Sequence, residues 1–172
     1  MTEAQPPYRF EVRDHAADKA ATAYGKTASE VFEAAAYAMF DAMVDLATVR
    51  PQQVREVTLE QQYGEDLLRQ WLGELLFLFD LDKLVFSEFA VRVECPPQGL
   101  SPRGPSLRES GDSPRSGTVP PWRLTGAARG ERYGEHMERR GAVVKAVTYH
   151  QFALRPPASE GGDWVAEMVF DV

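Results

Sequence analysis

The chain has 172 residues, a hydrophobic fraction of 44% and a formal net charge of -7, from 19 Lys and Arg against 26 Asp and Glu. This length suits one domain with a substantial core, and the acidity argues against stable direct binding of nucleic acid, which needs clustered Lys and Arg. The single cysteine, Cys95, excludes an internal disulfide and a multi-cysteine metal site, and no apolar run approaches the roughly 20 residues of a membrane span.

The first part of the chain alternates between strand-like and helix-like patterns. Its start lacks the basic and apolar regions of a signal peptide, which favours a cytoplasmic protein. Residues 8–13 alternate apolar with charged side chains and predict a strand with one buried face. A second short strand is expected over residues 19–25. Thr27 and Glu30 form a capping-box pattern, and the helix that follows is expected to extend to about Val44.

Three further elements and a linker follow. Residues 53–62 predict a strand, and the apolar residues from Leu68 to Phe79 recur at helical spacing in a second helix. Apolar and charged residues alternate again over 89–94. The segment 96–121 is rich in Pro, Ser and Gly and buries too little apolar surface to offset its ordering entropy, so we expect a flexible insertion.

The remainder of the chain predicts strands only. Residues 122–125 alternate apolar with polar side chains and predict a strand. Residues 142–154 predict one bent strand or two. The strand over 164–171 is apolar on both faces, so we expect it inside a sheet. Together the elements predict an α+β fold: a single domain over residues 1–172, with mixed β-sheet layers and two main helices packed on one side.

Two acidic places are candidates for binding chemistry. Asp14 and Asp18 flank His15 just after the first strand, where carboxylates either cap turns or bind a hard cation, and the spacing alone favours capping. The chain ends on Asp171 and Val172, which offer a side chain, a carbonyl and a terminal carboxylate on a strand that is apolar almost to its end. One Asp from each place would make an oxygen-rich site for Ca²⁺ or Mg²⁺.

Other candidate chemistry is weaker. Lys145 is a lone cation in a β-prone run, and its position alone favours a side chain that faces solvent. The scattered His15, His136 and His150 could converge with Cys95 on zinc, but their spacing does not support it, and Cys95 lacks the local cation of a nucleophile. No phosphate-binding loop, nucleophile elbow or HExxH motif occurs.

Five motifs follow one another along the chain: DHAAD at 14–18, two helical segments at 25–40 and 67–80, VKAVTYH at 144–150, and FDV at 170–172. In this order they resemble the archease family, the small activators of RtcB-type RNA ligases. They are similar to its DHTAD signature, its two helices, its VKAITYH segment and its ending. The sequence departs from the family in two respects: Ala stands in place of Thr in the first motif, and the insertion is longer than the family's usual turn.

The resemblance implies a protein cofactor rather than an enzyme, acting in tRNA splicing and RNA repair. It implies that the chain promotes guanylylation and multiple turnover of an RtcB-type ligase and binds a divalent cation, expected to be Ca²⁺, with Mg²⁺ or Mn²⁺ as alternatives. The family's metal ligands correspond to Asp18, Asp171 and Val172, and its important lysine to Lys145. Asp14 and His15 would join Lys145 in activating the partner. The resemblance thus reverses the preferences drawn from spacing alone.

Two other function classes stay open. One is a metal-dependent hydrolase that uses Asp18, Asp171 and His15, although the sequence shows no nucleophile or paired base for it. The other is a chaperone or modulator of RNA-modifying proteins. The sequence predicts no membrane partner and leaves the oligomeric state open.

Overall fold

The computed structural model describes residues 6–15, 17–96 and 120–172. In chain order these residues form β1 (Arg9–His15), β2 (Asp18–Gly25), α1 (Ala28–Asp41), a 3₁₀ helix (Leu46–Thr48), β3 (Gln53–Gln61), α2 (Gly64–Asp82), β4 (Leu84–Glu94), β5 (Trp122–Arg132), β6 (Ala146–Val147), β7 (Ala153–Arg155) and β8 (Trp164–Asp171). The predicted insertion over 96–121 falls almost entirely on 97–119, which lie outside this description. Neither α-helix is long and apolar enough to cross a membrane.

The strands form two sheets. The larger sheet has the order β1-β2-β8-β6, with β7 also paired to β8, and the smaller has the order β3-β5-β4. Each pairing between these strands is antiparallel. Both sheets are therefore antiparallel, where we expected mixed sheet layers. Strand β8 lies between β2 on one side and β6 and β7 on the other, which confirms the interior position predicted from its apolar sequence.

The start of α1 is built by the predicted cap. The Thr27 hydroxyl oxygen accepts a hydrogen bond from the Glu30 amide at 3.1 Å, and the Glu30 carboxylate accepts from the Lys26 amide at 3.0 Å. Gly25, the last residue of β2, is needed for the tight entry, because a Cβ there would lie 2.4 Å from the Val31 amide nitrogen. The local sequence therefore fixes where the first strand pair passes into the helix.

Both helices contact both sheets. Helix α1 packs on β1, β2 and β8 of the larger sheet and on β4 of the smaller, and α2 packs on β3, β4 and β5 as well as β6 and β7. The helices meet at fully buried Trp71, whose indole nitrogen donates to the Phe32 carbonyl at 3.1 Å. This arrangement confirms the α+β class, with the helices covering one face of each sheet.

Side chains of α1 also close the unpaired edge of β4. The amide of Val91 donates to the Glu33 carboxylate at 3.3 Å, and the amide of Val93 donates to the Ser29 hydroxyl at 2.9 Å. These bonds satisfy backbone donors that no neighbouring strand receives. Burial raises the pKa of Glu33 to about 7, since it opposes ionisation more strongly than the bond from Val91 favours it.

Two segments differ from the sequence-based expectations. Helix α1 ends at Asp41, short of the expected end near Val44. Val44 stays buried because the chain turns there and bridges to Arg139, so the apolar spacing continues beyond the helix. The run over 142–154 forms two short strands, β6 and β7, separated by a turn in which Gln151 has a φ of 51°.

Candidate functional site

An acidic pair lies at one rim of the larger sheet. Strands β1 and β2 form a hairpin in which His15 is the register partner of Asp18. Asp18 is in turn directly opposite Asp171 on β8, and Asp171 is opposite Ala146 on β6. The antiparallel register therefore brings together the two aspartates that the sequence placed near opposite ends of the chain.

Both aspartates lie on the face of the sheet that points away from α1. Directly opposed residues of an antiparallel pair share a face, and the alternate positions Lys19 and Phe170 face the helix, Phe170 being fully buried. The Asp171 side chain is exposed and Asp18 is half-buried. A depression of about 520 Å³ on the same face has Ala20 and Val169 among its lining residues. The pair is thus open to solvent and to an incoming partner.

Main-chain hydrogen bonds tie down the end of β8. The Lys145 amide donates to the Asp171 carbonyl at 2.7 Å, and β8 is paired on both sides at this level. Val172 is half-buried against the core. The backbone around the acidic pair is therefore fixed, as the apolar sequence of the strand predicted.

The chemistry of the pair is that of residues that could hold a cation. Like charges directly opposite each other destabilise a sheet unless a positive charge compensates them. Carboxylate and main-chain oxygens are hard ligands that suit Ca²⁺, Mg²⁺ and Mn²⁺. Among the described side chains, no group of three or more His, Cys, Asp or Glu that could hold a metal ion occurs. Asp18 and Asp171 are the two carboxylates that the register brings together and that could contribute to a cation site.

Lys145 is adjacent to this rim. It precedes β6 and is exposed, while the neighbouring Val144 is buried and donates its amide to the Met43 sulfur at 3.1 Å. Because the Lys145 amide is bonded to the Asp171 carbonyl, the lysine backbone has a fixed position relative to the acidic pair. The side chain is exposed and departs from a backbone held by this bond.

Asp14 lies near the rim but on the other face of the sheet. It is opposite Lys19, whose Nζ is 3.6 Å from Asp14 Oδ1 and 3.2 Å from the Ala42 carbonyl oxygen at the end of α1. Asp14 therefore lies on the α1 side of the sheet, across from Asp18. The structure describes the backbone pairing of His15 with Asp18, and the His15 side chain falls outside the description.

The remaining candidates do not form a site. Burial raises the pKa of the Cys95 thiol to about 11, which leaves it protonated and unsuited to nucleophilic attack. His136 lies 2.7 Å from a Glu131 carboxylate oxygen, and His150 is exposed in the turn after β6. Among the described side chains, then, none of the three supports the zinc alternative.

Exposed apolar side chains on α2 and beyond β6 are not among the candidates drawn from the sequence. Phe77 is 56% exposed and Tyr149 is 72% exposed. A signal was present for Phe77, because it falls outside the apolar stripe that runs from Leu68 to Phe79. Such a residue indicates an interaction surface only where it belongs to a wider exposed apolar patch.

The fold and the rim define a small α+β protein in which two antiparallel sheets flank two helices, with an acidic pair where the second and last strands meet. The model of the Archease protein family (MTH1598/TM1083) matches residues 10–172, and the chain belongs to this family.

Relatives support this assignment over nearly the whole chain. The chain is 35% identical to protein archease of Methanosarcina barkeri over 164 residues, which cover 95% of this chain and 96% of that protein. Protein archease of Thermococcus gammatolerans is also 35% identical, with 95% and 99% covered. The solution structure of Methanobacterium thermoautotrophicum protein 1598 superposes with a TM-score of 0.70 at 34% identity, covering 95% of this chain and 98% of that one.

Proposed function

We propose that this protein activates an RtcB-type RNA ligase by presenting the rim with Asp18, Asp171 and Lys145 to the ligase active site. The observation that carries the proposal is the register of β2 and β8, which places Asp18 opposite Asp171 in a chain of the archease family. The protein acts as a cofactor for guanylylation and multiple turnover in tRNA splicing and RNA repair. We assign no catalytic residue to it.

The donor set at the rim supports a divalent cation as part of this function. Asp18, Asp171 and the main-chain oxygen of Val172 would hold it, and Ca²⁺ is the ion that we expect because it accepts many oxygen ligands in flexible geometry. Mg²⁺ and Mn²⁺ are alternatives. When bound, the ion supplies positive charge that offsets the carboxylates and accepts phosphate oxygens. The side chains that hold it are exposed or half-buried, so the site is accessible from outside.

Lys145 would meet the ligase beside the acidic pair. A lysine ammonium is a compact point charge that binds a phosphate or a carboxylate from several directions. The bond from its amide to the Asp171 carbonyl keeps the Lys145 backbone at the rim. In this proposal His15 and the exposed Asp14 contribute contacts with the ligase around the rim.

Overall charge favours a protein partner over RNA. The net charge of -7 complements the basic surface that an RNA ligase needs for its substrate, and such complementarity accelerates association. The same charge repels free RNA, so the ligase alone would hold the RNA. Binding to the ligase is then expected to weaken as salt is raised.

The test is multiple-turnover RNA ligation by the RtcB-type ligase of the same organism, with and without this protein. Wild-type protein should raise the number of turnovers and the yield of guanylylated ligase. Asp18→Asn and Lys145→Ala should each lose most of this stimulation while folding normally, because both positions lie at the surface. Glu56→Gln, which removes an exposed carboxylate from β3 on the other sheet, is the matched control and should stimulate fully.

Three results would contradict the proposal. The first is a wild-type protein that leaves turnover and guanylylation unchanged. In that case, recovery of RNA-modifying proteins in place of the ligase in pull-downs would favour the chaperone alternative. The second is full stimulation by both rim variants at limiting protein. The third is hydrolysis of a substrate by the purified protein alone, lost in Asp18→Asn, which would favour the metal-dependent hydrolase.

A further inference from the structure

Exposed apolar side chains are concentrated on one side of the described molecule. Six large apolar residues are exposed in the described ranges, and one of them, Val54, lies on the outer face of the smaller sheet. The other five lie on the second half of α2 or in the segment from the end of β5 to the turn after β6: Phe77, Leu81, Tyr133, Val143 and Tyr149. Such clustering on a soluble protein marks an interaction surface.

Three of these residues, Phe77, Tyr133 and Val143, line depressions between α2 and the chain over 139–147. One depression of about 280 Å³ has Lys83, Tyr133 and Val143 among its lining residues, and a second of about 270 Å³ has Phe77 and Lys145. Asp80 lines both depressions, so they adjoin along the helix. We call this continuous surface the α2 groove. The groove has free space at Gly73, because a Cβ added to this residue would have no atom within 4 Å.

The charge of the α2 groove is opposite to that of the whole chain. Four cationic residues line it, against the single carboxylate of Asp80: Arg69, Lys83, Arg139 and Lys145. The formal net charge of the chain is -7, so this is a local excess of positive charge on an acidic protein. An occupant that combines carboxylates with apolar side chains would complement both properties of the groove.

Arg69 at one end of the groove has unused hydrogen-bonding capacity. Its guanidinium carbon lies 3.8 Å above the centroid of the Tyr149 ring, and its buried Nε has no hydrogen-bond partner among the described residues. A buried donor without an acceptor carries a cost that a small shift on binding would relieve. The guanidinium group thus lies over the ring at the end of the groove, where a carboxylate from a partner could reach it.

We propose that the α2 groove docks an extended segment of the RtcB-type ligase that carries carboxylates beside an apolar anchor residue. This inference rests on the proposed function. A protein segment fits better than RNA, because the groove is lined by apolar side chains such as Phe77 and Val143 as well as by cations, whereas an RNA site needs a wide basic surface.

The α2 groove and the acidic rim are neighbours with different tasks. Lys145 lines the groove, while the next residue, Ala146, is opposite Asp171 in the rim. A ligase segment held in the groove would therefore lie next to the aspartates of the rim. The groove supplies affinity through buried apolar area, and the rim supplies activation. The two contributions separate in measurements of binding and of turnover.

The experiment compares groove variants with matched variants on the smaller sheet. Phe77→Glu replaces an exposed apolar residue in the groove, and Val54→Glu makes the same change at a 43% exposed position outside it. Arg139→Glu reverses a groove cation, and Arg129→Glu reverses an exposed cation on β5. Each variant is titrated into the ligase by calorimetry, and ligation is measured at limiting and saturating protein. Circular dichroism and urea unfolding establish that each variant is folded.

The groove variants should bind the ligase at least about tenfold more weakly, and the two control variants should bind like wild type. At saturating concentration the groove variants should regain stimulation. Asp18→Asn should show the reverse, with affinity kept and stimulation lost at every concentration. This split distinguishes docking in the groove from activation at the rim.

Several outcomes would overturn the inference. Equal affinity of Phe77→Glu and wild type would exclude the groove while leaving the proposed function intact. Binding of labelled single-stranded RNA to the protein alone, lost in Arg139→Glu, would assign the groove to RNA. Self-association in light scattering, lost in Phe77→Glu, would assign it to a second copy. A wild-type protein that neither binds nor stimulates the ligase would remove the proposed function and, with it, this occupant.

Discussion

Divalent cations should stabilise the wild-type protein through Asp18 and Asp171. The two carboxylates are directly opposite each other on β2 and β8, so they repel in the metal-free protein and jointly attract a cation. An ion that binds only the folded state at 100 times its Kd adds about 2.7 kcal/mol to the free energy of unfolding. For a chain of this length that corresponds to a rise in Tm of roughly 5–10 °C. The rise should continue with the logarithm of the ion concentration.

The aspartate variants separate a metal site from turn capping. In Asp18→Asn and Asp171→Asn the thermal response should vanish. Without metal, both variants should be as stable as wild type or more stable by up to about 1 kcal/mol, since the opposed like charges no longer repel. If the aspartates capped turns instead, each variant would lose about 0.5–2 kcal/mol and wild type would not respond to metal.

The assay is differential scanning calorimetry of chelator-treated protein, titrated with Ca²⁺, Mg²⁺ and Mn²⁺ in turn. Asp14→Asn is the matched control, because Asp14 is a neighbouring exposed carboxylate that lies beside Lys19 on the other face of the sheet. It should keep the full response. A wild-type protein indifferent to all three ions, or a response that survives in Asp18→Asn and Asp171→Asn, would refute the metal site.

Three further predictions concern stability, each measured by urea unfolding. Burial raises the pKa of Glu33 to about 7, so the ionisation of Glu33 opposes folding. Between about pH 5 and pH 8 the free energy of unfolding of wild type should therefore fall by about 1 kcal/mol relative to that of Glu33→Gln, because solvent screening of this half-buried group limits the effect. A difference in stability that stays constant across that range would contradict this prediction. Trp71→Phe should cost about 3 kcal/mol, because it removes a buried ring and a hydrogen bond. Gly130→Ala should prevent normal pairing, since its Cβ would lie 1.8 Å from the Val85 carbonyl oxygen, whereas Gly73→Ala on the open helix surface should add about 0.5–1 kcal/mol.

Local patterns predicted most of the elements. Alternation over 8–13 and the capping pattern at Thr27 depend on neighbours in sequence, and both elements occur where the pattern placed them. The end of α1 could not be predicted from local spacing. Val44 continues the helical spacing of apolar residues, but it is buried where the chain bridges to Arg139, which is distant in sequence. Propensity carries no information on such a contact.

The candidate site needed long-range information as well. Asp18 and Asp171 belong to two separate sequence motifs, and only the register of β2 and β8 makes them direct neighbours. A shift of this register by one residue would turn one of the two side chains to the opposite face of the sheet. Asp14 illustrates the same limit, since its place in the motif suggested a role beside Asp18 and the pleat directs it to Lys19 instead. The α2 groove depends on how α2 packs beside β6, which no local pattern encodes.

The segment before β6 connects the groove with the rim mechanically. Arg140 forms ion pairs with Asp41 at 3.2 Å and Asp45 at 3.1 Å, and its amide donates to the Met43 carbonyl at 2.8 Å. These bonds anchor the chain to the end of α1, and a few residues later the Lys145 amide reaches the Asp171 carbonyl. A segment anchored at both ends cannot shift at one surface without straining the other. A ligase segment seated in the groove would therefore meet a rim whose backbone at Lys145 and Asp171 is already in place, so that little binding energy is spent on ordering it.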